Sequence, residues 1–262
     1  MKFIIRDDDL NYFSTPADIE RWYANIFAQG IPVGFSTIPF VKPTSDVYTG
    51  GVLAEDREYP MSENTSVCAF VKGQDLIEIL QHGTTHETVG DVFEYARQVP
   101  RGETMRGRKE LERAFGRSVS VFVPPHDWIS SSGIRDVEHA GMDIIRGRGA
   151  GLRAVLPRPL YLWRFISMCI FKLLYTLKGK AVPAYPYVLN FGRHQEVCSY
   201  RLEDTDVFEG LEYVHKKDGI YVVVTHLHFY TDEKKERLLK VIERAKELGA
   251  DFVRPSTLFH RS

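Results

Sequence analysis

The segment His82-Gly83-Thr84-Thr85-His86 sets two imidazoles four residues apart, so both can face one ion if the backbone turns helically between them. Two histidines need a third ligand. Asp7-Asp8-Asp9 follows directly on the apolar stretch from Phe3, and three carboxylates in a row are costly to bury without a cation. Asp9 supplies an oxygen that completes a two-histidine, one-carboxylate set with open positions for water, the arrangement of a catalytic rather than a structural metal. Zinc is the first expectation for such ligands, though other first-row ions suit them. A third group sits near the C-terminus, where Val222-Val223-Val224-Thr225 runs into His226-Leu227-His228. Extended backbone would put both histidines on one face, which suits acid/base work. Each motif alone has a plain reading as an acidic turn, polar loop histidines, or a hydrogen-bonded strand end. Their joint presence argues for a site.

Something must hold these residues together, and the chain alternates short apolar runs with amphipathic helical stretches, the pattern of βα units around parallel strands. Strands are expected at Phe3 to Arg6, Ile31 to Ile38, Leu76 to Leu80, Val119 to Val123, Asp143 to Arg146, Ile220 to Thr225 and Asp251 to Val253. Ser14-Thr15-Pro16 opens a helix whose apolar face is Ile19, Trp22, Tyr23 and Ile26, and Gly30 closes it. Further helices are expected at Glu103 to Phe115, after the Ser130 to Gly133 turn, at Asp206 to Lys216, and at Asp232 to Leu248. Pro39 to Ser66 reads as a long excursion above the barrel. In barrels of this kind the chemistry lies just past the C-terminal ends of the strands, where Asp9, His82, His86 and His226 fall.

A chain of 262 residues with 44% hydrophobic content forms one large domain or two small ones with an ample core. Its formal charge of −1 excludes a globally basic nucleic-acid binder. Cys68, Cys169 and Cys198 are odd in number and far apart, so neither a disulfide framework nor a metal knuckle is indicated. Met1 leads at once into the first strand and charged Arg6, with no apolar leader, so a cytoplasmic location is expected.

In this order the motifs resemble those of the polysaccharide deacetylase family, the NodB-like carbohydrate esterases, over almost the whole chain. That family has an Asp-Asp strand end, then His-Ser/Thr-x-x-His, then an Arg-x-Pro-Tyr-like strand end, then a late apolar strand ending in His. Arg6-Asp7-Asp8-Asp9, His82 to His86, Phe122-Val123-Pro124-Pro125-His126 and Gly219 to His226 are the matching stretches, and Gly249-Ala250-Asp251-Phe252-Val253 is similar to the family's last strand. The resemblance implies a single-domain distorted (β/α)7-8 barrel spanning 1–262. It makes Asp8 the general base and Asp9 a metal ligand, with the register open by one residue. The family's arginine before the prolines is Val123 here and its aromatic is His126. Arg6, two residues from Asp8 on the same strand, is the expected replacement, holding the base ionised.

The implied reaction is metal-dependent hydrolysis of an N-acyl group on a sugar. Asp8 takes a proton from water, His226 protonates the leaving amine with His228 as its alternative, and a backbone N–H near His126 meets the oxyanion. Pro125, His126, Trp128, His228 and Arg6 are the expected substrate contacts, Trp128 by stacking on a sugar ring. Two other functions use the same residues: hydrolysis of an O-ester, and glycan binding without turnover by a member that has lost its usual arginine.

One stretch stands apart. From Asp143 to Glu196 there is no acidic residue, but there are nine cations: Arg146, Arg148, Arg153, Arg158, Arg164, Lys172, Lys178, Lys180 and Arg193. Leu160 to Leu177 is apolar but is interrupted by Arg164 and Lys172 and short of the roughly twenty residues of a membrane span. The reading is a basic, apolar insertion at about 147–195 beside the active-site mouth, engaging a membrane surface or a lipid-linked or nucleotide-linked sugar. That places the chain at the inner face of the membrane, in surface-polysaccharide or lipopolysaccharide assembly. A plain barrel-wall helix with its cations paired is the competing reading.

Overall fold

Strand β1 (Lys2–Leu10) is buried almost throughout and has parallel neighbours on both sides, β2 (Val33–Thr37) and the last long strand, β7 (Ile220–His226). Both faces of such a strand must be apolar, which is why Phe3, Ile4 and Ile5 follow one another without alternation. The computed structural model describes residues 1–43, 55–148, 162–178 and 182–259, with backbone alone at 162–165. Beyond β2 the sheet continues through β3 (Ile77–His82), β4 (Val121–Val123) and β5 (Asp143–Gly147), all parallel. Strand β6 (Gln195–Arg201) pairs with β7 on one side and with β5 on the other. That double pairing closes a seven-stranded parallel barrel, so the expected single (β/α) barrel is what forms.

Ile4, Leu80, Val121, Val123, Ile145, Val197 and Val222 fill the barrel's inside, with Leu258 from the C-terminal turn packed among them. Phe3, Ile5, Phe35, Ile79, Phe122, Ile144 and Cys198 point outward, into the layer under the helices. The same alternation fixes the site. With Ile4 inside, Arg6 and Asp8 also point inside, at the end where the strands finish.

Helix α1 (Pro16–Phe27) starts on a capping box between Thr15 and Asp18 and buries Ile19, Trp22, Tyr23 and Ile26 as the periodicity predicts. Four such side chains stabilise the packing by roughly 1.5–3 kcal/mol each. Helices α2 (Thr65–Lys72), α3 (Glu103–Phe115), α4 (Ser131–His139), α5 (Leu162–Leu177), α6 (Val207–Lys216) and α7 (Asp232–Glu247) follow. All three cysteines are free. Among the described residues no helix is long and apolar enough to cross a membrane.

Two sequence expectations change. Strand β6 was not foreseen, because Gln195, Glu196 and Ser199 break its apolar pattern, yet all three are buried. They are buried because they have partners: Glu196 pairs with Arg146 at 2.6 Å, and Ser199 accepts from Arg6. The stretch 147–195 contains α5 in the slot between β5 and β6 that each βα unit gives to a helix. Ser167 of α5 borders a hollow with Met1, Lys2 and Gly219, at the barrel end opposite the site. Arg153, Arg158, Lys180 and the Arg164 side chain lie outside the described residues.

Candidate active site

Asp8 and His226 are register partners on β1 and β7, so the two chemically distinct side chains meet at one strand boundary. Strict alternation would turn Asp9 away from Asp8, to the outside. It does not, because Asp9 takes a left-handed conformation (φ 74°) where the β1–β2 register slips between Asp8 and Leu10. The slip brings Asp8 and Asp9 together to the mouth and leaves Asp7 outside. Asp7 is bonded to the Tyr23 hydroxyl and, at 2.8 Å, to Thr225, and burial raises its pKa to about 8 against those two hydrogen bonds. Asp8 and Asp9 are therefore the pair that faces the mouth.

His82 ends β3 and His86 closes the loop after it, also left-handed (φ 58°). Their Nε2 atoms lie 3.3 and 3.5 Å from Asp9 Oδ1. Ligand atoms about 2.0–2.2 Å from a tetrahedral ion would themselves be about 3.3–3.6 Å apart, so the three are spaced as a ligand set. Asp9 Oδ1 is buried with no hydrogen bond of good geometry, an orphaned oxygen that a cation would satisfy. His82 Nδ1 faces the Val123 carbonyl at 3.1 Å, and donation there fixes the tautomer whose Nε2 lone pair is open to an ion beside Asp9. Burial, then the neighbouring His82, pushes His86 down to about 3, so it is neutral as a ligand must be. Burial would raise Asp9, but His82 and His86 hold it far below the usual carboxylate range. The residues present fit one divalent metal.

Arg6 grips Asp8 in a two-pronged pair, Nε to Oδ1 at 2.7 Å and Nη2 to Oδ2 at 2.5 Å, with both side chains buried. Burial would raise Asp8; the Arg6 charge, with His82 and His226, outweighs it and holds the carboxyl below its ordinary value. Arg6 is itself held by Ser199 at 3.2 Å and Asp127 at 3.4 Å. It lines the cavity behind Asp8 and, at 1% exposure, meets it chiefly as the support of that carboxylate.

The mouth is a cavity of about 400 Å³ whose lining includes Asp8, Asp9, His82, His86, His126 and His226. His126 stacks on Phe93 with ring centroids 3.9 Å apart, and its pKa is lowered by burial and by His82. The other expected contacts are placed differently. Chain direction changes after His226 into a tight turn (Leu227–Phe229), so His228 does not share its face: His228 Nε2 lies 2.9 Å from the Asp9 carbonyl and 3.0 Å from Asn11 Nδ2. His228 braces the left-handed Asp9 backbone instead of facing the cavity. Pro125 is buried against Gly83, where a side chain would clash with it at 2.5 Å. Trp128 is 64% exposed and outside the cavity wall.

Several working residues carried no sequence signal. Glu94, buried in the turn after a small hairpin, accepts from the backbone N–H groups of Thr84, Thr85 and His86 at 2.9–3.2 Å and from the Thr85 hydroxyl at 3.1 Å. It thereby shapes the whole His82–His86 loop. Asp127, left-handed like His126 (φ 61° and 54°), accepts from Gly147 N at 2.7 Å and meets Arg6 and Arg201. Arg201, Glu203 and Phe229 complete the rim.

No family model and no curated protein matches the chain. Solved structures do. The peptidoglycan N-acetylglucosamine deacetylase Bc1960 superposes with a TM-score of 0.51 at 12% identity, over 100% of this chain and 89% of its own. An acetyl xylan esterase of family 4 from Clostridium thermocellum, in complex with a cobalt ion, gives 0.51 at 12%, over 99% and 90%. A family 4 pseudoenzyme from Bacillus anthracis gives 0.50 at 14%, over 98% and 64%. The fold is that of the family 4 carbohydrate esterases. In this barrel the position before the two prolines is Val123, an apolar residue of the inner core, and the guanidinium beside Asp8 comes from β1.

Proposed function

We propose that the chain is a metal-dependent hydrolase that removes an N-acyl group from a sugar. The observation that carries this reading is the juxtaposition of the Asp9, His82 and His86 ligand set with the Arg6-clamped Asp8 and its register partner His226. Asp9, His82 and His86 would hold one divalent ion, zinc by ligand type, and a bound ion polarises the acyl carbonyl and lowers the pKa of water. Asp8, kept ionised by Arg6, accepts the proton of the attacking water. His226, beside it, donates a proton to the departing amine, which cannot leave as an anion. The ring of His126, held flat on Phe93, walls the cavity where the acyl group and sugar lie.

An O-ester substrate is the second reading, favoured by the likeness in fold to an acetyl xylan esterase. A non-catalytic role is disfavoured by Arg6, which restores the partner that Val123 does not supply. Exposed Arg201 at the rim suits an anionic carrier on the sugar, lipid-linked or nucleotide-linked. The test is acyl release from N-acetylated chito-oligosaccharides and from acetylated xylan by the zinc-loaded protein and by Asp8→Asn. Release of acetate from the amide substrate, abolished in Asp8→Asn with metal retained, is the expected result. Release from the ester alone supports the second reading, and no release from any acyl sugar by protein that holds its metal rejects both.

A further inference from the structure

Helix α5 is apolar nearly all round, with Arg164, Ser167, Lys172 and Thr176 as its polar members. A helix of that kind needs cover on every side. The protein covers one side: Met168 is buried, and Phe171 packs against Tyr175, Tyr185 and Tyr213. On the other, Ile166, Ile170, Leu173, Leu174 and Leu177 are 37%, 48%, 57%, 50% and 73% exposed. At 3.6 residues per turn these five fall within one arc of about 100°, a stripe running from Ile166 to Leu177. Stripes of this size mark a binding surface rather than a random scatter of exposed residues.

Charge decides between occupants. The stripe lies within the stretch from Ile144 to Gln195, which has no acidic residue, and Lys178 and Lys180 follow the helix directly. Two copies meeting through α5 would bring together two segments that carry cations and no acid in sequence, and like charge opposes that pairing. The stripe also exposes only roughly 500 Å², short of the ~800 Å² per partner of a stable protein interface. An anionic lipid surface has neither difficulty: it takes up an apolar stripe followed by exposed Lys178 and imposes no minimum area of protein contact. At sixteen residues the helix is too short to span the bilayer.

We infer that α5 docks the chain, lying flat, on an anionic lipid bilayer. Ser167 borders a hollow with Met1 and Lys2 at the barrel end remote from His82 and His226, and no described residue of α5 lines the mouth, so docking through the stripe does not cover the site. This goes beyond the proposed hydrolase activity and stands independently of it.

The experiment is co-sedimentation of the full chain with vesicles of phosphatidylcholine alone and of phosphatidylcholine with phosphatidylglycerol in equal parts. Wild-type protein is expected on the anionic vesicles, released as salt is raised. Leu173→Ser with Leu177→Ser should weaken binding by at least about tenfold. Both positions are exposed, so circular dichroism and zinc binding should be unchanged. Equal binding to neutral vesicles, equal binding by the double variant, or wild-type protein left in solution each overturns the inference. So does a dimer in sedimentation velocity that the double variant abolishes, which would assign the stripe to a second copy.

Discussion

Replacing Glu94 by Ala should damage metal binding although Glu94 touches no metal. Its carboxylate is the shared acceptor for three successive backbone N–H groups of the ligand loop, from Thr84 to His86, and for the Thr85 hydroxyl. A hydrogen bond to a charged group contributes about 1.5–3 kcal/mol, and each buried N–H left without an acceptor costs about 1–3 kcal/mol. Three orphaned N–H groups would sum to several kcal/mol, but Ala opens a space that water can enter, so a net loss of about 2–4 kcal/mol in folding stability is expected. The loop relaxes at the same time. His86 sits at φ 58°, a conformation held by its surroundings, and without the Glu94 anchor its ring loses the aim that puts Nε2 3.5 Å from Asp9. Lost support of this kind typically lowers metal affinity by about 10–100-fold. Glu94→Gln should fall between, because an amide oxygen accepts two of the bonds while its NH2 group opposes a third N–H. Zinc affinity is to be measured by competition with a chromophoric chelator, and stability by urea unfolding of the metal-free protein. A Glu94→Ala protein that binds zinc within twofold of wild type would refute the argument, however much stability it lost.

His82→Ala should lose most bound metal and keep the fold, since the barrel core does not depend on the ion; full occupancy by elemental analysis would overturn the ligand assignment. Arg6→Met should destabilise by about 3–5 kcal/mol in urea, because it leaves the Asp8 carboxylate buried without its partner, and should cut activity with metal retained. Unchanged stability would mean that Asp8 is not held as a buried anion. His194 gives a pH test far from the metal ligands: burial lowers its pKa, but Glu138 at 2.8 Å and Glu196 at 3.1 Å raise it above the ordinary 6.5. Its folded pKa exceeds the unfolded one, so its stabilisation is complete below about pH 6.5 and lost as pH rises through the folded value. Asp7, raised to about 8, makes stability fall over part of the same range in any variant, so thermal melting should fall more steeply with pH in wild type than in His194→Gln; parallel curves would contradict this.

The barrel was legible where burial alone shapes the sequence. The apolar runs of β1, β2, β3 and β7 and the four-residue face of α1 appear where the pattern puts them. That Asp9, His82 and His86 come together was legible because their residue types are rare in combination. Arg6 beside Asp8 followed from two-residue alternation. The rest depended on partners distant in sequence. Strand β6 hides its burial behind Glu196 and Ser199, which are acceptable inside only because Arg146, His194 and Arg6 meet them there. Glu94 reads as one more acid in a polar hairpin until the loop it caps is in place. Two-residue alternation puts His226 and His228 on one face only while the strand lasts, and the tight turn after β7 breaks it. The position of α5 was likewise not deducible, since composition gives a helix its faces but not its place around a barrel.

Among the described residues, five that are not glycine hold a left-handed backbone, and Asp9, His86, His126 and Asp127 of the site make up four of them. Glycine would fit each place with less strain. A search for a hardier version of this protein would therefore be drawn to those positions first, and each gain in melting temperature there would remove a ligand, a wall or a brace of the mouth. On the proposed function, durability and activity compete for the same four residues, so a stabilised variant should be sought in the helical shell and the lower barrel, with the backbone of the mouth left as it is.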